Sequence, residues 1–280
     1  MVSAEGIVRD NAKTLELLQR SDNERLFAVQ IFASEPRTAA AAIEKLNRYG
    51  PDLYDLNCGC SVPKVLKSGS GAALLRRPET IGAIVEAMRG QTDSPVTVKL
   101  RSGWDHDSIN YLDCARAAER RGAAMICLHP RTRSQGFSGR VRVSDLKELK
   151  IHCSVPVIGS GDLFTPEDAV RVFRQTGCDG LMFARGALGN PFIFKATKRR
   201  LAGEDPAAAP TGPERLKTAL EQLELTVKFK GEARACKEMR KHFCYYSKGM
   251  RRGAEFRARA VRAEHVVDYV NLVAAFSADR

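Results

Sequence analysis

The sequence predicts an α/β fold of the (β/α)8, or TIM-barrel, type followed by an all-helical C-terminal region. Three observations point there. Short apolar and β-branched runs alternate with helical patterns through residues 1–202. Nearly every run ends in polar or reactive residues. Beyond residue 212 the strand pattern stops and only helical periodicity remains.

The runs are Met1 to Ser3, Leu26 to Phe32, Leu53 to Asn57, Val96 to Leu100, Met125 to His129, Val155 to Ser160 and Gly180 to Arg185. Between them helical patterns cover Thr38 to Arg48, Pro78 to Arg89, Ser108 to Arg121 and Pro166 to Gln175. Pro36, Pro78 and Pro166 sit where helices begin, and Thr165-Pro166-Glu167-Asp168 reads as an N-cap with an acidic first turn. Near-continuously apolar strands imply a parallel sheet covered on both faces. An open doubly wound sheet would gather its chemistry at one switch point. Here Gln30, Asn57 with Cys60, Lys99 with Arg101, His129 with Arg131, Ser160 with Asp162, and Arg185 close six different runs, as a barrel requires. Seven runs are counted where a closed barrel needs eight, and the first begins at residue 1. The expectation is a barrel short of one N-terminal strand–helix unit.

Three segments are expected: a barrel over 1–202, an Ala/Pro/Gly-rich linker over 203–212, and a helical region over 213–280. Within the last, Cys236, Met239, Phe243 and Met250 share one helical stripe, and Arg234, Lys237, Lys241 and Lys248 the opposite one. Lys228 to Arg262 holds 12 Lys/Arg against three acids, a net +9 of the chain's +12, which suits a polyanionic partner. Hydrophobic content of 44% and charged content of 28% are ordinary for a globular protein. No apolar run approaches the roughly 20 residues of a membrane helix, and the N-terminus lacks a signal-peptide pattern. Eight cysteines are too dilute for a disulfide scaffold, so the expected setting is the reducing cytoplasm, with a monomeric chain, no membrane and no metal.

"VIGSGD" and "FARGALGNP" end the last two strands in small loops whose backbone N–H groups, with Arg185, can cradle a phosphate. Lys99 and Arg101 point to one side of their strand, where a cation can face a flavin's N1/O2 edge or a substrate phosphate. His129 can hold a cofactor or substrate oxygen, and Gln30 suits the edge of a pyrimidine-like ring. At Cys58-x-Cys60 no second cluster supports zinc, and spacing at a strand end disfavours a disulfide. A partly exposed thiol at a catalytic face can act as a general acid, because a pKa near about 8.5 keeps it protonated. The alternative, a buried small hydrophobe, is kept for Cys58, Cys114, Cys127, Cys153, Cys178, Cys236 and Cys244.

Taken in order, "VSAEG", "VQIF", "DLNCGCSVPKVLKSGSGAALL", "VTVKLRSGWD", "LHPRTRSQGFSG", "PVIGSGDLFTPEDA" and "CDGLMFARGALGNPFIF" resemble the bacterial tRNA-dihydrouridine synthases, closest to their B subgroup, and the likeness continues into "GEARACKEMRKHFCYYSKGM". The resemblance implies a flavin-bearing TIM barrel with a helical domain that grips tRNA. It implies NADPH reducing FMN, hydride transfer to C6 of a uridine, and protonation of C5 by the cysteine that matches Cys60. By the same matching Gln30, Lys99, His129, Ser160, Gly161, Asp162, Ala184 and Arg185 fall on flavin-binding positions. Asn57 and Arg101 would place the base, with Arg131 a further candidate. Arg234, Lys237, Lys241 and Lys248 would meet the tRNA. Departures are Ser61 for the usual Pro, Ser160 for Asn, Pro130 for Gly and Ala184 for Gly, and the family's opening "PMAGVTD…FR" segment has no counterpart. An alternative expectation is an N-terminally truncated tRNA-binding paralogue that is catalytically impaired and holds no FMN. A flavin reductase of free pyrimidines would not need the +9 tail.

Overall fold

The computed structural model describes residues 1–21, 24–204 and 208–278, so the middle of the expected linker lies outside the described residues. The chain falls into two compact units: Met1–Asp162 with Arg171–Met182, and Leu163–Val170 with Phe183–Arg280.

The first unit is built on seven strands: β1 (Val2–Ser3), β2 (Ala28–Phe32), β3 (Leu53–Cys58), β4 (Val96–Arg101), β5 (Met125–His129), β6 (Val157–Ser160) and β7 (Gly180–Met182). They form one parallel sheet in the order β1 to β7, the barrel-type architecture expected. Each neighbour in sequence is the neighbour in space, so every connection must cross over, and helices supply the crossovers. These are α1 (Ala4–Val8), α2 (Ala12–Leu15), α3 (Pro36–Leu46), α4 (Pro63–Lys67), α5 (Pro78–Arg89), α6 (Tyr111–Arg120), α7 (Val143–His152) and α8 (Pro166–Thr176). Among the described residues β1 pairs with β2 and β7 with β6, and no ladder joins β7 to β1.

Local sequence explains most boundaries. Proline occupies the first turn of α3 and α5, where its missing N–H is no loss. Ile81, Ile84, Val85 and Met88 recur at helical spacing on α5, and all four are fully buried. Several strand ends differ from the sequence expectation by one to three residues, and two of them show why. β6 begins at Val157, after Pro156 has used its carbonyl to accept from the Ile126 N–H. β7 stops at Met182 rather than running to Arg185, which instead opens a 3-10 turn, Arg185–Ala187.

The second unit contains α9 (Phe192–Leu201), α10 (Gly212–Lys230), α11 (Glu232–Tyr246), α12 (Gly253–Ala260) and α13 (Val266–Ala278). A capping box starts α10: Thr211 accepts from the Glu214 N–H, and the Glu214 carboxylate accepts from the Thr211 N–H at 2.7 Å. The core is aromatic. Phe243 stacks on Tyr269 with centroids 4.4 Å apart, and Phe256 meets Phe276 edge-on at 5.2 Å. Cys236, Met239 and Phe243 are buried as their stripe predicts, and Met250 packs against the same core. The helix ends earlier than expected, at Tyr246, because Gly249 turns at φ +76° into the left-handed region. Lys248 therefore lies in the turn after α11 and not on its cationic stripe. Among the described residues no helix is long and apolar enough to cross a membrane.

Phe243→Ala removes a fully buried ring from this core, and a loss of about 3–5 kcal/mol is expected. Urea denaturation followed by far-ultraviolet circular dichroism measures it; a loss below about 1 kcal/mol would mean that the core can repack around the gap.

Candidate active site

Parallel register places the polar strand residues in rows. Gln30 lies beside Asp55 and Asp55 beside Thr97; one step further Asn57 lies beside Lys99 and Lys99 beside Cys127, and Arg101 lies beside His129. Residues two apart on a strand share a face, so β2 to β5 present these side chains together.

A buried carboxylate starts the arrangement. Asp55 accepts from Gln30 Nε2 and from Thr97 Oγ1, each at 2.6 Å. A carboxylate only accepts, so the Gln30 amide must turn its NH2 toward it and its oxygen away. That oxygen accepts from Asn57 Nδ2 at 2.9 Å, which leaves Asn57 Oδ1 to accept from the backbone N–H groups of Gly59 at 3.1 Å and Cys60 at 2.9 Å. Each bond dictates the orientation of the next amide. Burial raises the Asp55 pKa, opposed by the bonds from Thr97 and Gln30 and by the charge of Lys99.

The Cys60 loop is tied from the other side too. Arg101 Nε donates to the Gly59 carbonyl at 2.9 Å, and the Ala72 N–H donates to the Cys60 carbonyl at 3.0 Å. Ser61 stands where the resembling family has proline, but these bonds restrain the loop without it. The two cysteines differ as expected. Cys58 is fully buried, and burial pushes its thiol well above the ordinary value, whereas Cys60 is half-exposed.

Arg101 and Arg131 clamp the loop after β5. Arg101 Nη1 donates to the carbonyls of Thr132 and Gly136, both at 2.9 Å, and its Nη2 makes no hydrogen bond among the described residues. Arg131 donates to the Asp162 carboxylate through both terminal nitrogens, at 2.8 and 2.7 Å, and to the carbonyls of Ser138 and Gly139. At 2% exposure with every nitrogen engaged, Arg131 is a structural tie. The expectation that it reaches the substrate is corrected on that ground. Gly161 turns at φ +104°, and a Cβ there would lie 2.7 Å from His129 Cδ2, so only glycine lets this loop pass the imidazole. Ser160 Oγ donates to the Met182 carbonyl at 3.0 Å.

His129 is 8% exposed, and its Nε2 is buried with no partner. Burial, then the charges of Arg101, Lys99 and Arg131, lower its pKa to about 3 against the partial opposition of Asp162, so the ring is neutral at physiological pH. Lys99 is half-buried and makes no ion pair or side-chain hydrogen bond among the described residues. An orphaned imidazole nitrogen beside an unspent ammonium is the signature of a site built for a ligand with acceptor and donor edges.

Ala184 and Arg185 belong to the second unit, where the Arg185 guanidinium lies 5.1 Å from the Phe164 ring. On α11 Arg234 pairs with Glu238, which also takes Lys230. Lys237, Lys241 and Lys248 are exposed and carry no ion pair among the described residues. Sequence reading missed Asp55 and Thr97. Their signal was present: an acid inside an apolar strand, two residues from Asn57, needs a polar neighbour on the adjoining strands.

A family model described as dihydrouridine synthase (Dus) matches residues 1–279. The chain belongs to the dihydrouridine synthase family. It is 40% identical to a probable tRNA-dihydrouridine synthase of Treponema pallidum over 98% of its own length and 83% of the relative's. It is 33% identical to a probable tRNA-dihydrouridine synthase of Aquifex aeolicus, covering 98% and 85% of the two chains. It is 34% identical to tRNA-dihydrouridine synthase B of Xanthomonas axonopodis, covering 90% and 76%. The chain is thus an enzyme of the family that its motifs resemble.

Unfolding returns His129 to its ordinary value of 6.5, so between pH 6.5 and about 3 the unfolded state binds the extra proton. Stability is complete above pH 6.5 and declines on acidification by up to about 1.4 kcal/mol per pH unit. His129→Asn should flatten that part of the calorimetric pH profile of the ligand-free chain; an unchanged slope would refute the assignment. Asp55→Asn supplies a donor where only an acceptor fits, and should cost about 1–3 kcal/mol. The Gly59 and Cys60 amides should then exchange faster with deuterium, and unaltered exchange there would disconnect Asp55 from the loop.

Proposed function

We propose that this chain reduces uridines of tRNA to 5,6-dihydrouridine, with Cys60 as the general acid. The observation that carries the reading is the half-exposed thiol of Cys60, held on a loop restrained by Asn57 and Arg101, on the face that also bears Lys99 and the unpartnered His129.

The residues fit a flavin. His129 Nε2 lacks a partner, Lys99 is unspent, and Gln30 keeps one amide hydrogen and one oxygen lone pair beyond its bonds to Asp55 and Asn57. We assign these three and the turn Ser160-Gly161-Asp162 to holding FMN. Reduced at the expense of NADPH, FMN would supply hydride for C6 of the uracil ring. Cys60 gives the proton of its Sγ to C5, so the ring gains hydrogen at both carbons. Arg101 offers its free Nη2 hydrogens to the base, and its burial keeps that guanidinium in one place. Asn57 acts through the loop it holds, since its amide oxygen is spent on two backbone N–H groups.

The helical region over 213–280 serves in this reading as the tRNA grip, through Lys237, Lys241 and Lys248, with Arg234 sharing its charge with Glu238. The chemistry belongs in the cytoplasm, where NADPH and tRNA are at hand. A tRNA-binding paralogue without flavin is not favoured, because the restraints on Cys60 and the ligand-ready His129 are both intact.

Cys60→Ala decides the acid. The variant should bind flavin and accept electrons from NADPH, yet form dihydrouridine at least about 100-fold more slowly, as judged by nucleoside analysis of digested tRNA. Full activity would remove Cys60 from the chemistry. Colourless protein that still binds tRNA would instead restore the flavin-free paralogue.

A further inference from the structure

Three loops at the C-terminal ends of the strands meet at Trp104, the only tryptophan of the chain. The Arg76 guanidinium lies 3.7 Å from the centre of its ring and that of Arg133 lies 4.4 Å from it. Arg76 closes the 3-10 segment Gly71–Arg76 after the Cys60 loop, Trp104 follows β4, and Arg133 follows β5. Backbone bonds lock the last two together. The Arg133 and Ser134 N–H groups donate to the carbonyls of Gly103 and Trp104, both at 2.9 Å.

The arrangement is unusual in its charge. Two guanidinium cations share one indole and stand no more than about 8 Å apart, inside the roughly 10 Å screening length of moderate salt. Among the described residues neither has an ion pair or a side-chain hydrogen bond. Asp105 feels the charge of Arg76, but its carboxylate is occupied by the Ser108 hydroxyl at 2.6 Å. Some exposed arginines of this unit face a carboxylate, Arg9 with Glu5, Arg120 with Glu79 and Arg121 with Glu86, whereas Arg76 and Arg133 share a ring instead. The indole holds the two cations by cation–π attraction and limits their rotamers, while leaving their in-plane N–H donors unspent. Repulsion between them is relieved by an anion that both can reach.

We infer that Arg76, Trp104 and Arg133 form a phosphate-contacting platform for the RNA strand that flanks the target uridine. This rests on the proposed tRNA activity and adds a contact surface on the first unit, separate from the cationic helix of the second. Phosphodiester groups are the occupant because they supply successive anions along one chain, whereas a free phosphate meets one arginine as well as two. Planar guanidinium groups prefer phosphate in bidentate contact, and the stacked indole offers its edge to a sugar or base.

The single tryptophan makes the platform directly observable. Unmodified tRNA transcript titrated into the flavin-loaded full-length protein should change Trp104 emission, saturating at the concentration where binding saturates. Arg76→Gln and Arg133→Gln should each raise KM for tRNA by about tenfold, with the loss in KM rather than kcat. Each should also reduce the slope of log affinity against log salt by roughly 0.7–0.9. Arg120→Gln, an exposed arginine on α6 already paired with Glu79, is the control and should match the parent protein. Trp104→Phe should preserve most of the affinity, so that a folding defect in Trp104→Ala does not blur the result. Unchanged emission at saturating tRNA, or wild-type KM and salt slope in the Arg76→Gln/Arg133→Gln double variant, overturns the platform. So would an equal response to inorganic phosphate, which would make it a free-anion site. If dihydrouridine forms while these tests fail, the platform falls alone. If no dihydrouridine forms but the emission and salt slopes respond, the catalytic reading falls and the platform stands.

Discussion

The buried carboxylate of Asp55 is the constraint on which the candidate site depends. Because it can only accept hydrogen bonds, it dictates which way Gln30 faces, Gln30 dictates Asn57, and Asn57 gathers the backbone N–H groups that set the Cys60 loop. A polar chain of this kind is costly if any member is missing and rigid when all are present. Burial alone would favour a protonated Asp55, and Thr97, Gln30 and the nearby Lys99 work against that.

Two buried arginines carry the same logic to the neighbouring loops. Arg101 bridges the Cys60 loop and the loop after β5, and Arg131 joins that loop to the turn after β6 through Asp162. Burial first, and then their charges with that of Lys99, keep His129 neutral. The face therefore gathers positive charge around a neutral ring, which suits an anionic or electron-rich ligand better than a cation. Packing and electrostatics are not separable here, since the same guanidinium groups do both.

Much of the architecture was legible in sequence. All seven strands lie within two residues of their expected starts, and the prolines mark the starts of α3, α5 and α8. Chain-local signals carry that information: apolar runs for strands, capping residues and prolines for helices. The ends were harder. β7 and α11 both stop short of the expected residues, because a turn or a left-handed glycine interrupts a pattern that side-chain type alone would continue. For the site, sequence located Cys60, Lys99 and His129 at strand ends but assigned Arg131 to the substrate. Whether a strand-end arginine faces a ligand or a carboxylate depends on Asp162, thirty-one positions away.

By itself the sequence determined the kind of protein this is: alternating strands and helices, a cationic helical tail, and motifs of the dihydrouridine synthase family. Only the tertiary structure decided what each polar residue does. It alone separated Cys58 from Cys60 by burial, joined Asp55 to the Cys60 loop through two amides, and set two arginines against Trp104. The physical reason is range. Strand and helix formation follow from neighbours along the chain, whereas a hydrogen bond or a buried charge depends on which distant residue the register brings opposite it.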